Sequence, residues 1–213
     1  MSHPLRCECG TVKGFIEAPR RTFRGVCYCR DCQAFAHFLG RERDVLDDRG
    51  GSGVVQTVPR NVAFTQGLDA LECMRLTPNG LLRWYAGCCN TPIGNTMANY
   101  KLSFVGVVDM CLRDPQRSLE ESFGPNRAFV YVDGARGEPK PLQVGQGRMI
   151  ARALATLFKA RISGDYRRSP FFRPDTGQPI ATPRILSEEE HSRLKKAVLD
   201  AAATSARPPA PPP

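Results

Sequence analysis

The sequence predicts a mainly β fold: a domain of short antiparallel strands with appended C-terminal helices. Three observations carry that expectation. The chain uses 19 glycines and 18 prolines among 213 residues, a composition that suits many short strands joined by tight turns. Short β-like runs recur through the first half, each bounded by turn residues. Beyond about Pro141 the apolar residues switch to helical spacing. A chain of this length buries a real core, and its size favours one domain with appendages over two full domains.

In order, the β-like runs are Thr11 to Ile16, Gly53 to Val58, Val62 to Thr65, Leu71 to Leu76, Leu81 to Tyr85 and Phe104 to Val108. Thr77-Pro78-Asn79-Gly80 separates two of them and carries the Asn-Gly pair of a tight hairpin, which would deliver Cys88 and Cys89 at its exit. The stretch between Leu39 and Gly53 is charged and then glycine-rich, a surface loop or short helix followed by a turn. Met149, Ile150, Leu154, Leu157 and Phe158 mark one C-terminal helix. Ser187 and Glu190 make a capping box ahead of Leu194 and Val198 in a second. Phe171 and Phe172 are expected to anchor the irregular segment between them. The expected organisation is therefore a β-rich domain over 1–140, a helical extension over 141–206 and a disordered proline-rich tail over 207–213.

The first ten residues are polar and leave no room for a secretory signal. No apolar stretch approaches the roughly 18 residues needed to cross a bilayer. A cytoplasmic protein with no membrane partner is expected. Lys and Arg total 30 against 21 Asp and Glu, a net charge of +9. The basic residues are scattered without a dense run, and no basic and aromatic interleaving suited to nucleic acid is present.

Nine cysteines in a chain without an export signal point to metal binding or catalysis rather than a disulfide framework. Seven fall in three groups: Cys7 and Cys9; Cys27, Cys29 and Cys32; Cys88 and Cys89. Thiolates suit zinc, which takes four ligands in a structural site and keeps a position open in a catalytic one. The middle trio can hold an ion and leave its fourth position for water or substrate, or be completed by another side chain such as His37. The outer pairs must combine across the chain to close a four-sulfur site. One or two zinc ions are thus expected. Cys73 and Cys111, isolated among apolar neighbours, read as core residues. His3 and His191 read as surface residues, and Trp84, Tyr85 and Tyr28 as packing round the metal segments.

Cys7-Glu-Cys9-Gly10, then Cys27-Tyr-Cys29-Arg-Asp-Cys32, then Arg83-Trp84-Tyr85-Ala86-Gly87-Cys88-Cys89-Asn90-Thr91-Pro92 run in the order of a known pattern. Over roughly residues 5 to 110 the chain resembles the glutathione-dependent formaldehyde-activating enzyme family, whose fold is the β-tent. The resemblance implies a structural zinc on the first and third groups. It also implies a second zinc on Cys27, Cys29 and Cys32, the catalytic cysteines, where the glutathione thiol meets formaldehyde in a carbon-sulfur lyase reaction. One position departs: Ala86 stands where the family has the first cysteine of its third motif, and Cys88 is the candidate substitute. Arg24 and Arg30 could meet a carboxylate of the tripeptide or form plain surface charge. The alternative to an enzyme is a zinc scaffold that binds a protein or nucleic-acid partner.

Overall fold

A computed structural model describes residues 2–205. The expected tail from Arg207 onward lies outside those residues. Two β-sheets enclose the main core. The smaller contains β1 (Ser2–Arg6), β2 (Lys13–Glu17) and β5 (Val62–Gln66), in the order β1-β2-β5 and antiparallel throughout. The larger contains β3 (Phe23–Cys27), β4 (Ser52–Thr57), β6 (Leu71–Arg75), β7 (Leu82–Ala86), β8 (Thr91–Thr96), β9 (Val105–Val108), β10 (Phe129–Val130) and β11 (Arg184–Ile185). Its order is β10-β3-β4-β9-β8-β7-β6-β11, antiparallel except where the two short edge strands run parallel to their neighbours.

All six predicted runs are strands, and β6 and β7 form the expected hairpin, Leu71 opposite Ala86. β8 was not expected. Its sequence, Thr-Pro-Ile-Gly-Asn-Thr, carries residues that usually depress strands. Pro92 is accommodated at a register shift between Trp84 and Tyr85. Gly94 lets the carbonyl of Gly106 approach to where a Cβ would stand 2.8 Å from it.

Alternation along the strands divides the large sheet into two faces. Val55, Leu82, Trp84, Ile93, Val105 and Val107 turn toward the small sheet and pack with Leu5, Val12, Ile16 and Val62 in one core. Phe171 and Phe172 complete that core from the C-terminal part. Phe171 is fully buried, its ring 5.2 Å from that of Trp84 and 5.6 Å from that of Phe64. Cys73 and Cys111 are buried as expected.

Among the described residues five α-helices accompany the sheets: α1 (Arg30–Phe38), α2 (Glu42–Val45), α3 (Leu119–Phe123), α4 (Gln146–Ser163) and α5 (Glu188–Ser205). The capping box holds at α5, where Glu190 N–H donates to Ser187 Oγ at 3.1 Å and Ser187 N–H to Glu190 Oε2 at 3.0 Å. Leu194 and Val198 of α5 pack with Phe35 and Leu39 on the second face of the large sheet. α4 covers another part of that face. Its five predicted apolar residues divide: Met149 and Leu157 turn inward, whereas Ile150, Leu154 and Phe158 are exposed.

His3 corrects the surface assignment. It is fully buried, with Nδ1 2.8 Å from Ser122 Oγ and Nε2 2.7 Å from the carbonyl of Leu112. Both partners lie over a hundred residues away in sequence, so local pattern could not reveal them. Among the described residues no helix is long and apolar enough to cross a membrane.

Candidate metal centre and cavity

Two cysteine groups assemble. Cys7, Cys9, Cys88 and Cys89 bring their sulfurs within 4.8 Å of one another, and Cys27, Cys29 and Cys32 do the same. All nine cysteines are free thiols. Either group could hold a metal ion.

The four-sulfur group joins the two sheets. Cys7 and Cys9 sit in the turn between β1 and β2, which Gly10 closes at φ 78° while its N–H bonds the Cys7 carbonyl at 3.1 Å. Cys88 and Cys89 sit in the turn between β7 and β8, where Asn90 takes φ 55°. The two turns share a local plan: cysteine, left-handed residue, threonine. Thr11 Oγ1 lies 3.2 Å from Cys9 Sγ and Thr91 Oγ1 lies 3.1 Å from Cys89 Sγ, each placed to donate to a thiolate. Neither threonine was singled out from sequence, although the repeated Cys-x-Thr spacing is the signal.

Sulfur separations are 3.5 Å for Cys7 and Cys9, 3.9 Å for Cys7 and Cys88, 3.3 Å for Cys9 and Cys88, and 3.8 Å for Cys88 and Cys89. A tetrahedron whose centre lies about 2.3 Å from each sulfur has edges of about 3.8 Å. The donor set therefore fits one four-coordinate ion. Cys88 is one of the four clustered sulfurs, whereas Ala86 is a fully buried core residue of β7. The thiols are not equivalent: the Thr11 hydroxyl draws Cys9 from its ordinary 9.0 down to about 6, whereas burial pushes Cys88 up to about 12. Cys89 is drawn down against its burial by Thr91, and burial raises Cys7.

The three-sulfur group is built differently. Cys27 ends β3, Cys29 caps α1, and Cys32 lies in the first turn of that helix, its N–H 3.4 Å from Cys29 Sγ. A helix N-terminus favours thiolate. Bonds from Cys27 and Cys29, with Arg83 alongside, hold Cys32 well below the ordinary thiol range despite burial. Cys29 in turn rises to about 12, since Cys32 and burial overcome the lowering bond from Cys27. His37, also on α1, is not part of the group. Burial lowers its pKa, and its Nε2 is buried without a partner among the described residues.

The trio opens into a cavity of about 470 Å³ between the large sheet and α4. Phe23, Val54, Phe104 and Val130 form apolar walls, and Met149, Ile150 and Ala153 of α4 form the roof. Gly25 lets the backbone of Ala128 close on the sheet at the cavity edge, since a Cβ there would stand 2.8 Å from the Ala128 carbonyl. The polar groups are few. Arg83, only 2 % exposed, donates to Asn95 Oδ1 at 3.2 Å, stands 3.6 Å from Asp31 and lies over the Phe35 ring at 5.4 Å. Gln56 presents a carbonyl oxygen that has no partner among the described residues.

Sequence reading did not single out Arg83, Asn95 or Gln56. The usable signal was a charged residue inside β7, a strand buried along its whole length. Arg24, by contrast, is paired with Asp109 at 3.1 Å, and Arg30 is exposed and outside the cavity lining. Tyr28 turns away, with its hydroxyl 3.3 Å from Asp47. Tyr85 bonds Glu72 Oε2 at 2.5 Å and Trp84 Nε1 donates to Thr96 Oγ1 at 2.9 Å, both as packing groups beside the cysteine segments.

No curated protein and no solved structure matches the chain. Residues 1–183 match a family of unknown function (DUF6151), and the chain belongs to that family. The matched span includes both cysteine groups, the cavity and α4, and ends before α5.

Proposed function

We propose that this member of a family of unknown function is a two-zinc protein with a β-tent-like frame. In this reading Cys7, Cys9, Cys88 and Cys89 hold a structural zinc, and Cys27, Cys29 and Cys32 hold a second zinc at a thiol-binding active site. The reaction class is a carbon-sulfur lyase, in which a small thiol adds to an aldehyde carbonyl to give a hydroxyalkyl thioether, or the adduct splits back. Four or three thiolates without imidazole or carboxylate suit zinc. Free thiols throughout the chain suit a reducing cytoplasm.

The observation that carries the reading is the asymmetry between the two groups. One group has four sulfurs at the junction of two sheets. The other has three and faces a cavity. Zinc bound to the trio would offer its fourth position to a substrate thiol and lower that thiol's pKa. The residues around it define the rest of the task. Arg83 sets one buried positive charge against the thiolates. The amides of Asn95 and Gln56 offer hydrogen bonds to a hydroxyl formed at the carbonyl carbon. The apolar walls keep water from the reacting carbon and take its substituent.

Glutathione is the first thiol to test. Calorimetric titration of the zinc-loaded protein with glutathione, paired with exchange spectroscopy of glutathione and formaldehyde, measures binding and turnover separately. Cys29→Ser is expected to abolish thiol binding while the fold stands, because the four-sulfur group holds the sheets together without it. A wild-type protein that binds no small thiol and leaves adduct exchange at its uncatalysed rate would discard the enzyme and leave the scaffold reading.

A further inference from the structure

α4 carries apolar residues on two faces: one packs on the body, and of the other only half-exposed Ile150 also reaches the rim of the cavity. At about 100° per residue, Met149, Ala153, Thr156, Leu157 and Ala160 share the face that packs on the body. Ile150, Leu154, Phe158 and Ile162, spaced four apart, follow the opposite face. Their exposure rises steadily along the helix, at 48 %, 61 %, 68 % and 73 %. Leu142, in the segment leading into the helix, is 84 % exposed. This is a protruding ridge of large apolar side chains, not a groove.

Charge identifies what covers it. From Lys140 to Gly164 the chain has Lys140, Arg148, Arg152, Lys159 and Arg161 and no acidic residue. Arg148, Arg152 and Lys159 are exposed and run along one flank of the ridge. Arg20 and Arg21 extend the same basic surface, since Arg152 donates to the carbonyl of Arg21. A second copy of the chain laid antiparallel, ridge to ridge, would bring basic flank against basic flank. Long cationic side chains beside an apolar ridge instead match the layered chemistry of an anionic bilayer, with alkyl groups below the headgroups and cations among them.

We infer that α4 docks in the plane of an anionic lipid surface, with Ile150, Leu154, Phe158 and Ile162 in the interface and the basic flank on the headgroups. That no helix among the described residues is long and apolar enough to span a membrane is compatible with this, because an in-plane helix needs a polar flank rather than about 18 continuous apolar residues. The position of the helix gives the contact a use. Met149, Ile150 and Ala153 roof the cavity, so the docked face lies against the same helix that closes the cysteine site. An apolar ligand partitioned in the interface would reach that cavity without crossing bulk water. The docking itself is independent of the thiol chemistry and is tested without it.

The full-length protein is mixed with phosphatidylcholine vesicles with and without phosphatidylserine, and bound protein is measured by flotation. Retention is expected on the anionic vesicles only, and raised salt should weaken it. Leu154→Glu with Phe158→Glu should lower partitioning by more than about 100-fold. Arg148→Gln with Lys159→Gln should lower it by about 30-fold. Circular dichroism and metal content establish that each variant is folded. A wild type that does not float with anionic vesicles overturns the inference, as does retention that survives both double substitutions. A wild type that is dimeric in solution, made monomeric by Leu154→Glu with Phe158→Glu and indifferent to lipid, assigns the ridge to a second copy and also overturns it.

Discussion

Cys88→Ser tests the feature that separates this chain from the family it resembles. If Cys88 is the fourth ligand of the sheet-joining site, the serine variant loses one sulfur of four while the turn between β7 and β8 keeps its length. A structural zinc in small thiolate sites contributes about 10–16 kcal/mol to folding. One donor of four is then worth on the order of 2.5–4 kcal/mol, a large part of the stability of an ordinary domain. For a chain of this size about 2–4 °C of melting temperature accompanies each kcal/mol, so the expected loss is about 5–16 °C.

The structure also says where the damage falls. Cys7 and Cys9 belong to the small sheet and Cys88 and Cys89 to the large one, so amide exchange should rise across the contact between the sheets, at Leu5 and Val12 first. Calorimetry and zinc analysis on wild type, Cys88→Ser, Cys89→Ser and the control Cys73→Ala make the comparison. Cys73 is buried outside both groups and should leave zinc content unchanged. Full zinc content and an unchanged melting temperature in Cys88→Ser, beside a destabilised Cys89→Ser, would refute the assignment of Cys88 as a ligand.

Three other outcomes follow from the same geometry. Cys9 is held near 6 by Thr11, so its stabilising contribution is complete above the ordinary value of 9.0 and is lost as pH falls through about 6. Thr11→Val removes the hydroxyl, raises the Cys9 pKa and should move acid-induced zinc release to higher pH, as a chromogenic chelator would read. Arg83→Met leaves the trio of thiolates without its buried cation and should weaken metal at that site by about 10- to 100-fold, lowering zinc content from two ions toward one without loss of the first. Phe171→Ala opens a void beside Trp84 and Phe64 and should cost about 3–5 kcal/mol in chemical denaturation; a cost under about 1 kcal/mol would mean that the C-terminal segment is not part of the core.

How far the sequence was legible depends on whether the deciding contact was local. Tight turns and alternation are local, so the six strand runs and the hairpin between β6 and β7 could be read directly. The cysteine groups were legible by counting, since two pairs and a trio admit few ways of making a closed site and an open one. What counting could not supply was how the adjacent Cys88 and Cys89 both face one centre. That depends on Asn90 taking a left-handed turn, which brings two adjacent sulfurs to one centre. His3 was misread because its partners come from distant segments. The cavity was invisible for a related reason. Strand alternation tells that Arg83 and Trp84 point to opposite sides, yet nothing local says which side is packed and which is hollow.

The same limit explains α4 and shows why its two faces differ in kind. Helical spacing identified Met149, Ile150, Leu154, Leu157 and Phe158 as one helix, and spacing alone does not say which of them meet the body. Folding can use only the residues that meet the sheet, because the other side of a single covering helix has nothing beyond it. Met149 and Leu157 are thus accounted for by the fold, while Leu154 and Phe158 are not. An exposed Leu or Phe standing alone requires no explanation, but four large apolar residues in register beside an acid-free basic flank do. The roof of the cysteine cavity therefore has one face set by the chemistry beneath it and another set by whatever lies outside, which makes α4 the element through which the surroundings of the protein could act on its site.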